Sequence, residues 1–284
     1  MKIAILGTEN SHANAFARLI RDNADFKDMR IIGAYGYDSA ANDRLRADGL
    51  VTRFADSPDA FLGEADGILV TARHGDHHRD YALPYVKAGV SAFIDKPFTV
   101  NEAYADELIQ AAKASGACLC GGSSLKFLNG LDGLRQFASE GVLLGGHVSA
   151  PVNMVNDYAG FYFYAQHLIE MMFAVFGSDV KSVCAHCPDE TKNRVSAIFD
   201  YGTYDVLANY DASYEYAVTV ETDKGSRRLA TTDLDGCYER ELSEFLQMMK
   251  TGRAPYPPEA LKKPVTILHA IETSYREHRQ VMVR

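Results

Sequence analysis

The chain has 284 residues, of which 47% are hydrophobic and 24% charged. That composition excludes disorder, collagen-like repeats and low complexity, and at roughly 100–200 residues per domain the length suggests two domains. Lys and Arg number 29 against 38 Asp and Glu, and the net charge of -9 would repel a phosphate backbone, so nucleic acid is not an expected partner.

Short apolar runs begin near Lys2, Arg30, Gly67, Ser91 and Ala117, separated by stretches of helical periodicity. This alternation predicts βαβ units and a Rossmann-like doubly wound parallel sheet over residues 1–121. The first helix is expected from about His12 to Arg21, burying Phe16, Leu19 and Ile20; another, after Asp80, buries Tyr81, Leu83, Pro84 and Val86. Thr99 and Glu102 stand in capping-box spacing ahead of a helix over 101–115 that Gly116 closes. After Gly121-Gly122 a helix with Tyr164, His167, Met171 and Ala174 in one stripe precedes strand patterns near 179–187, 193–200, 204–211, 215–222 and 226–232. Strands in succession imply a large, mostly antiparallel sheet in an α+β domain over 122–284. Two helices close the chain, with Leu242, Phe245, Leu246 and Met249 on one and Leu261, Val265, Leu268 and Ile271 on the other. The last is expected to pack back toward the N-terminal domain.

The opening Met1–Leu6 is too short for a signal sequence, and no run approaches the ~18 apolar residues of a membrane helix, so a soluble, cytoplasmic protein without a membrane partner is expected. The odd set of cysteines at 118, 120, 184, 187 and 237 fits free thiols in a reducing compartment better than paired zinc half-sites.

The turn after the first strand, Gly7-Thr8-Glu9-Asn10-Ser11-His12, occupies the place of a Gly-x-Gly-x-x-Gly phosphate loop but keeps only its first glycine. Glu9 adds a negative charge where a pyrophosphate would approach; like charges about 4 Å apart repel by ~4 kcal/mol at an effective dielectric near 20. Tyr35-Gly36-Tyr37-Asp38 lacks the usual ribose carboxylate, and Asp38 reads as a helix cap. A lost or altered dinucleotide site therefore stands at even weight with a working one.

Asp95-Lys96-Pro97 ends the fourth strand, where open α/β sheets bind ligands. This tripeptide resembles the Glu-Lys-Pro motif of the Gfo/Idh/MocA oxidoreductases. Val70-Thr71-Ala72 through His78 and Ala82, Ala88-Gly89-Val90, Glu244-Phe245 through Thr251-Gly252-Arg253-Ala254-Pro255, and Ala270-Ile271-Glu272 are similar to further segments of that family. The resemblance implies an NAD- or NADP-dependent oxidoreductase acting on a sugar, inositol or related polyol, homo-oligomeric through its C-terminal sheet. It implies cofactor contacts from Gly7, Thr8, Glu9, Asn10, Ser11, His12, Thr71, His78, Asp95 and Lys96. It also assigns Lys96 to substrate and nicotinamide, and His167 to acid–base work.

These roles suit the residue types, because a lysine favours an alkoxide and a histidine accepts the hydroxyl proton as hydride leaves. Phe163 stands where relatives often carry Asp, and Tyr164, on the same helical face as His167, could supply the missing proton-transfer partner. Phe161-Tyr162-Phe163-Tyr164 reads as core packing before a sugar-stacking wall, and Asn153, Asn156 and Tyr158 are candidate substrate contacts. The alternatives are non-redox lyase, isomerase or hydrolase chemistry on the same scaffold, with a metal held by Glu9, His12 and His78 as one version, or a ligand-binding protein without turnover.

Overall fold

In a computed structural model, which describes residues 1–283, the chain divides into two compact units. One comprises Met1–Gly122 with Tyr238–Lys262, and the other comprises Ser123–Cys237 with the residues from Lys263 onward.

The first unit opens with β1 (Lys2–Leu6), α1 (Ser11–Asp22), β2 (Arg30–Tyr35), α2 (Ser39–Ala47) and β3 (Phe54–Ala55). It continues with β4 (Gly67–Val70), α3 (Asp76–Lys87), β5 (Ser91–Asp95), α4 (Glu102–Ser115) and β6 (Leu119–Gly122). Among the described residues, these six strands form a parallel sheet ordered β3-β2-β1-β4-β5-β6. This is the doubly wound order with its switch point between β1 and β4, and the near-continuous apolar runs reflect strands covered on both faces. Asp38 caps α2 by accepting from the Ala41 N–H, as its sequence position suggests. For α4 the cap is Asn101, whose side chain accepts from the Ala103 N–H, whereas the Thr99 hydroxyl donates to the Asn101 carbonyl. Gly116, at φ 80°, ends that helix.

The second unit is built from α5 (Leu131–Ser139), β7 (Leu143–Pro151), α6 (Tyr162–Phe176), β8 (Ser182–His186), β9 (Val195–Asp200), β10 (Asp205–Asp211), β11 (Tyr216–Thr222) and β12 (Gly225–Thr231). After α7 (Cys237–Thr251) and α8 (Glu259–Glu277), the short β13 (Val281–Met282) returns to its edge. The order is β12-β11-β7-β10-β9-β8-β13, antiparallel throughout except for the β7–β10 pair. Strand patterns from 179 onward anticipate β8 to β12, but β7, a central strand, has no counterpart in the sequence reading. Helix α6 packs on one face, where the Tyr210 hydroxyl donates to the Ala165 carbonyl. The other face presents Ile198 and Leu207 to solvent.

The sequence reading placed α7 in the second domain; the structure packs most of it into the first unit. Leu242, Phe245, Leu246 and Met248 join Ile3, Ile5, Phe16, Leu69 and Phe93 in one buried cluster. At about 1.5–3 kcal/mol per fully buried large apolar side chain, this stripe is a major stabilising contact of the unit.

Candidate active site

In the first unit, the strand ends of β1, β4 and β5 bring their turns to one edge. Gly7 lies at φ 97°, and a side chain there would overlap the backbone of Ala72, so only glycine permits the β1 turn to lie this close to the turn after β4. The Thr71 hydroxyl fixes that approach by donating to the Gly7 carbonyl at 2.6 Å.

Asn10 occupies the N-cap position of the twelve-residue α1, but its side chain makes no cap bond. Its Nδ2 instead donates to Asp95 Oδ2 at 3.2 Å, while the Ser11 hydroxyl lies 3.4 Å from Asn10 Oδ1. With no side-chain cap and no acidic residue in its first turn, α1 points uncapped N–H groups and the positive end of its dipole at the sheet edge.

His12, in place of the third loop glycine, is buried with its Nδ1 2.5 Å from Asp95 Oδ2 and its ring edge-on to Tyr238 at 4.8 Å. Asp95 also accepts the Lys96 N–H on Oδ1. Burial pushes the Asp95 carboxyl up, but His12 and Lys96 outweigh it and hold the group below the usual carboxylate range. Lys96 is 3% exposed. Burial is the largest influence on its ammonium, opposed by Asp95, assisted by Arg73 and opposed by Glu241, and brings its pKa down to about 8.

Glu9 is 6% exposed. Its Oε1 accepts the Arg73 N–H at 2.9 Å, and its Oε2 is buried without a hydrogen-bond partner. The side chain is thus anchored to the loop after β4.

His78 is fully buried, with Nδ1 2.7 Å from the Pro97 carbonyl and Nε2 2.8 Å from the Ala72 carbonyl. Burial lowers its pKa against the opposing pull of Asp95 and these carbonyls, and the ring braces the turn after β4 against the Lys96-Pro97 turn. Both ring nitrogens are occupied, and no group of three His, Cys, Asp or Glu among the described residues is arranged to hold a metal ion. Glu9, His12 and His78 therefore do not assemble the metal site weighed from sequence. Thr71 and His78 brace this edge through backbone carbonyls, and the Thr8 hydroxyl is taken by Asn42 Oδ1 at 2.6 Å.

In the second unit, His167 is buried on α6 with Nδ1 2.6 Å from the Ser123 hydroxyl. Ser123 is held in turn, its N–H donating to Glu170 Oε1 and its Oγ accepting from the Leu125 N–H. Tyr164 packs edge-on against His167 with ring centroids 5.4 Å apart. Phe161 and Tyr162 are core, as expected, and the Tyr162 hydroxyl donates to Glu272. Asn156 shapes its own loop, donating to the Asn153 and Gly160 carbonyls and accepting from the Tyr158 and Gly160 N–H groups.

Sequence reasoning missed two contributors to the Lys96 environment. Arg73 adds a positive charge, and Glu241 is a fully buried carboxylate on α7. Tyr238, Glu241, Phe245 and Met248 follow helical spacing, so an acid inside an apolar stripe was the available signal.

Residues 1–122 match the GFO_IDH_MocA family, described as an oxidoreductase family with an NAD-binding Rossmann fold. A protein of Amycolatopsis mediterranei (strain S699), provisionally named a UDP-kanosamine synthase oxidoreductase subunit, is 27% identical over 141 residues. That match covers 49% of this chain and 38% of the relative, so the chain spans about two-fifths of the relative's length. Among solved structures, myo-inositol 2-dehydrogenase from Lactobacillus plantarum aligns with TM-score 0.88 at 14% identity, covering 100% of this chain and 99% of that one. The WlbA dehydrogenase of Chromobacterium violaceum, solved with NADH and UDP-GlcNAcA, aligns with TM-score 0.81 at 18% identity, covering 100% and 96%. At such identities the structural likeness concerns the fold. The match to the Gfo/Idh/MocA oxidoreductases, a family described by its NAD-binding Rossmann fold, thus covers the N-terminal 122 residues.

The residues at this edge fit such a cofactor. The uncapped N–H groups of α1 offer a pyrophosphate its usual partners, and the orphaned Glu9 oxygen requires a donor from outside the protein.

Proposed function

We propose that the protein is an NAD(P)-dependent oxidoreductase acting on a sugar, inositol or related polyol. The observation that carries this reading is Lys96, a buried ammonium at the carboxyl end of β5, on the same sheet edge as the uncapped start of α1. Gly7, Asn10, Ser11 and His12 would form the cofactor-binding turn, with Asp95 holding it in place. When bound, the dinucleotide supplies a hydride acceptor. Lys96 donates a hydrogen bond to the reacting oxygen and favours its alkoxide form. His167 takes the hydroxyl proton, with Ser123 fixing the ring through Nδ1 and Tyr164 as a further proton-transfer partner.

The substrate class rests on the family of the first domain and on the dehydrogenases of similar fold, which include an inositol dehydrogenase and one solved with a nucleotide sugar. The test is a panel of inositols, aldoses and nucleotide sugars offered with NAD and with NADP, following formation of the reduced nicotinamide. Turnover of a polyol that Lys96→Ala and His167→Asn each remove is the expected result; a panel turned over equally by wild type and Lys96→Ala would refute the assignment.

A further inference from the structure

Rossmann domains hold the adenosine ribose with a carboxylate at the end of the second strand. Here that position is Gly36, and the space a side chain would need is already filled. A Cβ on Gly36 would collide with the Thr8 hydroxyl, which donates to Asn42 Oδ1, while Asn42 Nδ2 donates to the Gly36 carbonyl. A carboxylate at the usual place is thus sterically excluded by the turn that replaces the glycine loop.

A different carboxylate stands at the same edge. Glu9 precedes the N-cap of α1 and is more than nine-tenths buried. One oxygen is fixed by the Arg73 N–H, and the other is buried with no partner. The turn that carries Glu9 lies against the end of β2, where the Gly7 N–H donates to the Tyr35 carbonyl at 2.8 Å and Thr8 packs on Gly36. Glu9 therefore stands beside the uncapped helix start in a turn bounded by the ends of β2 and β4, the region where a dinucleotide places its adenosine half. An unsatisfied buried carboxylate oxygen is expensive to maintain unless something donates to it.

We infer that Glu9 accepts a hydroxyl of the adenosine ribose, replacing the missing carboxylate of β2 and selecting NAD over NADP. The inference rests on the proposed dinucleotide-dependent function and adds a residue and a cofactor preference to it. The vicinal diol of NAD supplies O–H donors to Glu9 Oε2, whereas the 2′-phosphate of NADP would bring a second negative charge against it with no proton to share. The charge that looks like an obstacle in the sequence is turned toward a sugar hydroxyl.

Equilibrium titrations of the intact protein with NAD, NADP and ADP test the assignment, ADP carrying the adenosine ribose without the nicotinamide half. Wild type should bind NAD on the order of 100-fold tighter than NADP. Glu9→Gln can still accept the Arg73 N–H but loses the charge and presents an amide in place of the free oxygen. It should weaken both NAD and ADP about tenfold and narrow the NAD preference to within about tenfold. Apo melting temperatures of the two proteins establish that the variant is folded, and the wild-type preference decides the matter independently if it is not. NADP bound as tightly as NAD, or ADP affinity unchanged in a folded variant, would overturn the role of Glu9 while leaving the oxidoreductase reading in place. Wild type that binds none of the three would overturn both.

Discussion

Asp95 Oδ2 lies 2.5 Å from His12 Nδ1, with both side chains buried, and this contact ties the end of β5 to the first turn of α1. The pair occupies the place where a dinucleotide-binding loop ordinarily carries its third glycine, so packing that a glycine would allow is replaced by a polar clamp. The clamp also fixes Lys96, whose N–H donates to the same carboxylate.

Breaking the clamp from either side should be strongly destabilising, because removing one partner leaves a buried polar group uncompensated. His12→Ala and Asp95→Asn are each expected to lose about 3–5 kcal/mol in denaturant unfolding at neutral pH. Asp95 has a folded pKa below its unfolded value, so its contribution is present above the ordinary carboxylate range and lost as pH falls through the folded pKa. The gap between wild type and Asp95→Asn should therefore shrink on acidification. A constant gap from neutral pH to strong acid would contradict the clamp.

Lys96 should act in the opposite sense. Its folded pKa is about 8 against an ordinary 10.5, so between these values the unfolded chain binds the proton and the folded chain does not. Stability then rises with pH across that window, and the charged lysine lowers it below pH 8 by on the order of 3 kcal/mol. Lys96→Met should unfold at higher denaturant than wild type at pH 7, with the advantage gone near pH 10.5, and should lose turnover. A variant that is less stable at pH 7 would show the lysine to be structural.

The proton-transfer role rests on His167 and on the serine that holds it. His167→Asn should retain a cooperative melt and lower kcat by about 10²–10⁴-fold, the usual range for removing a general acid or base. Ser123→Ala should lower kcat less and displace the alkaline or acid limb of the pH–rate profile, since Ser123 touches only Nδ1 among the atoms in the proposed step. Normal kcat in His167→Asn would remove the residue from the mechanism.

The outer face of the second sheet exposes Ile198 and Leu207, 46% and 51% accessible on adjacent strands β9 and β10. Apolar side chains paired in register on an open sheet are suited to burial against a second copy of the chain. Sedimentation of wild type should report an oligomer and Leu207→Glu a smaller species; a monomeric wild type would refute self-association.

The first sheet was legible because each strand is a buried apolar run followed by an amphipathic helix, and β8 to β12 were legible by alternation and turn spacing. Strand β7 was not, since Leu143-Leu144-Gly145-Gly146 combines two glycines with no alternation, and its extended form is imposed by pairing with β10 and β11 on either side. The amphipathic stripe of α7 was readable, but an apolar stripe does not say which core it enters. Among the candidate site residues, Lys96 and His167 were singled out through the family resemblance. The partners of His12 and Glu9 were not legible, because Asp95 at the end of β5 and Arg73 after β4 reach them only where the folded sheet gathers its turns at one edge, 83 and 64 residues away in sequence.

The central claim is that the turn from Gly7 to His12, despite its lost glycines, still receives a nicotinamide dinucleotide. Titrating the wild-type protein with NADH and following the cofactor's own fluorescence tests it most directly. Saturable binding, one NADH per chain and displaceable by NAD, is the predicted result. Fluorescence that stays that of free NADH through millimolar concentrations, with NADPH behaving alike, would contradict the account.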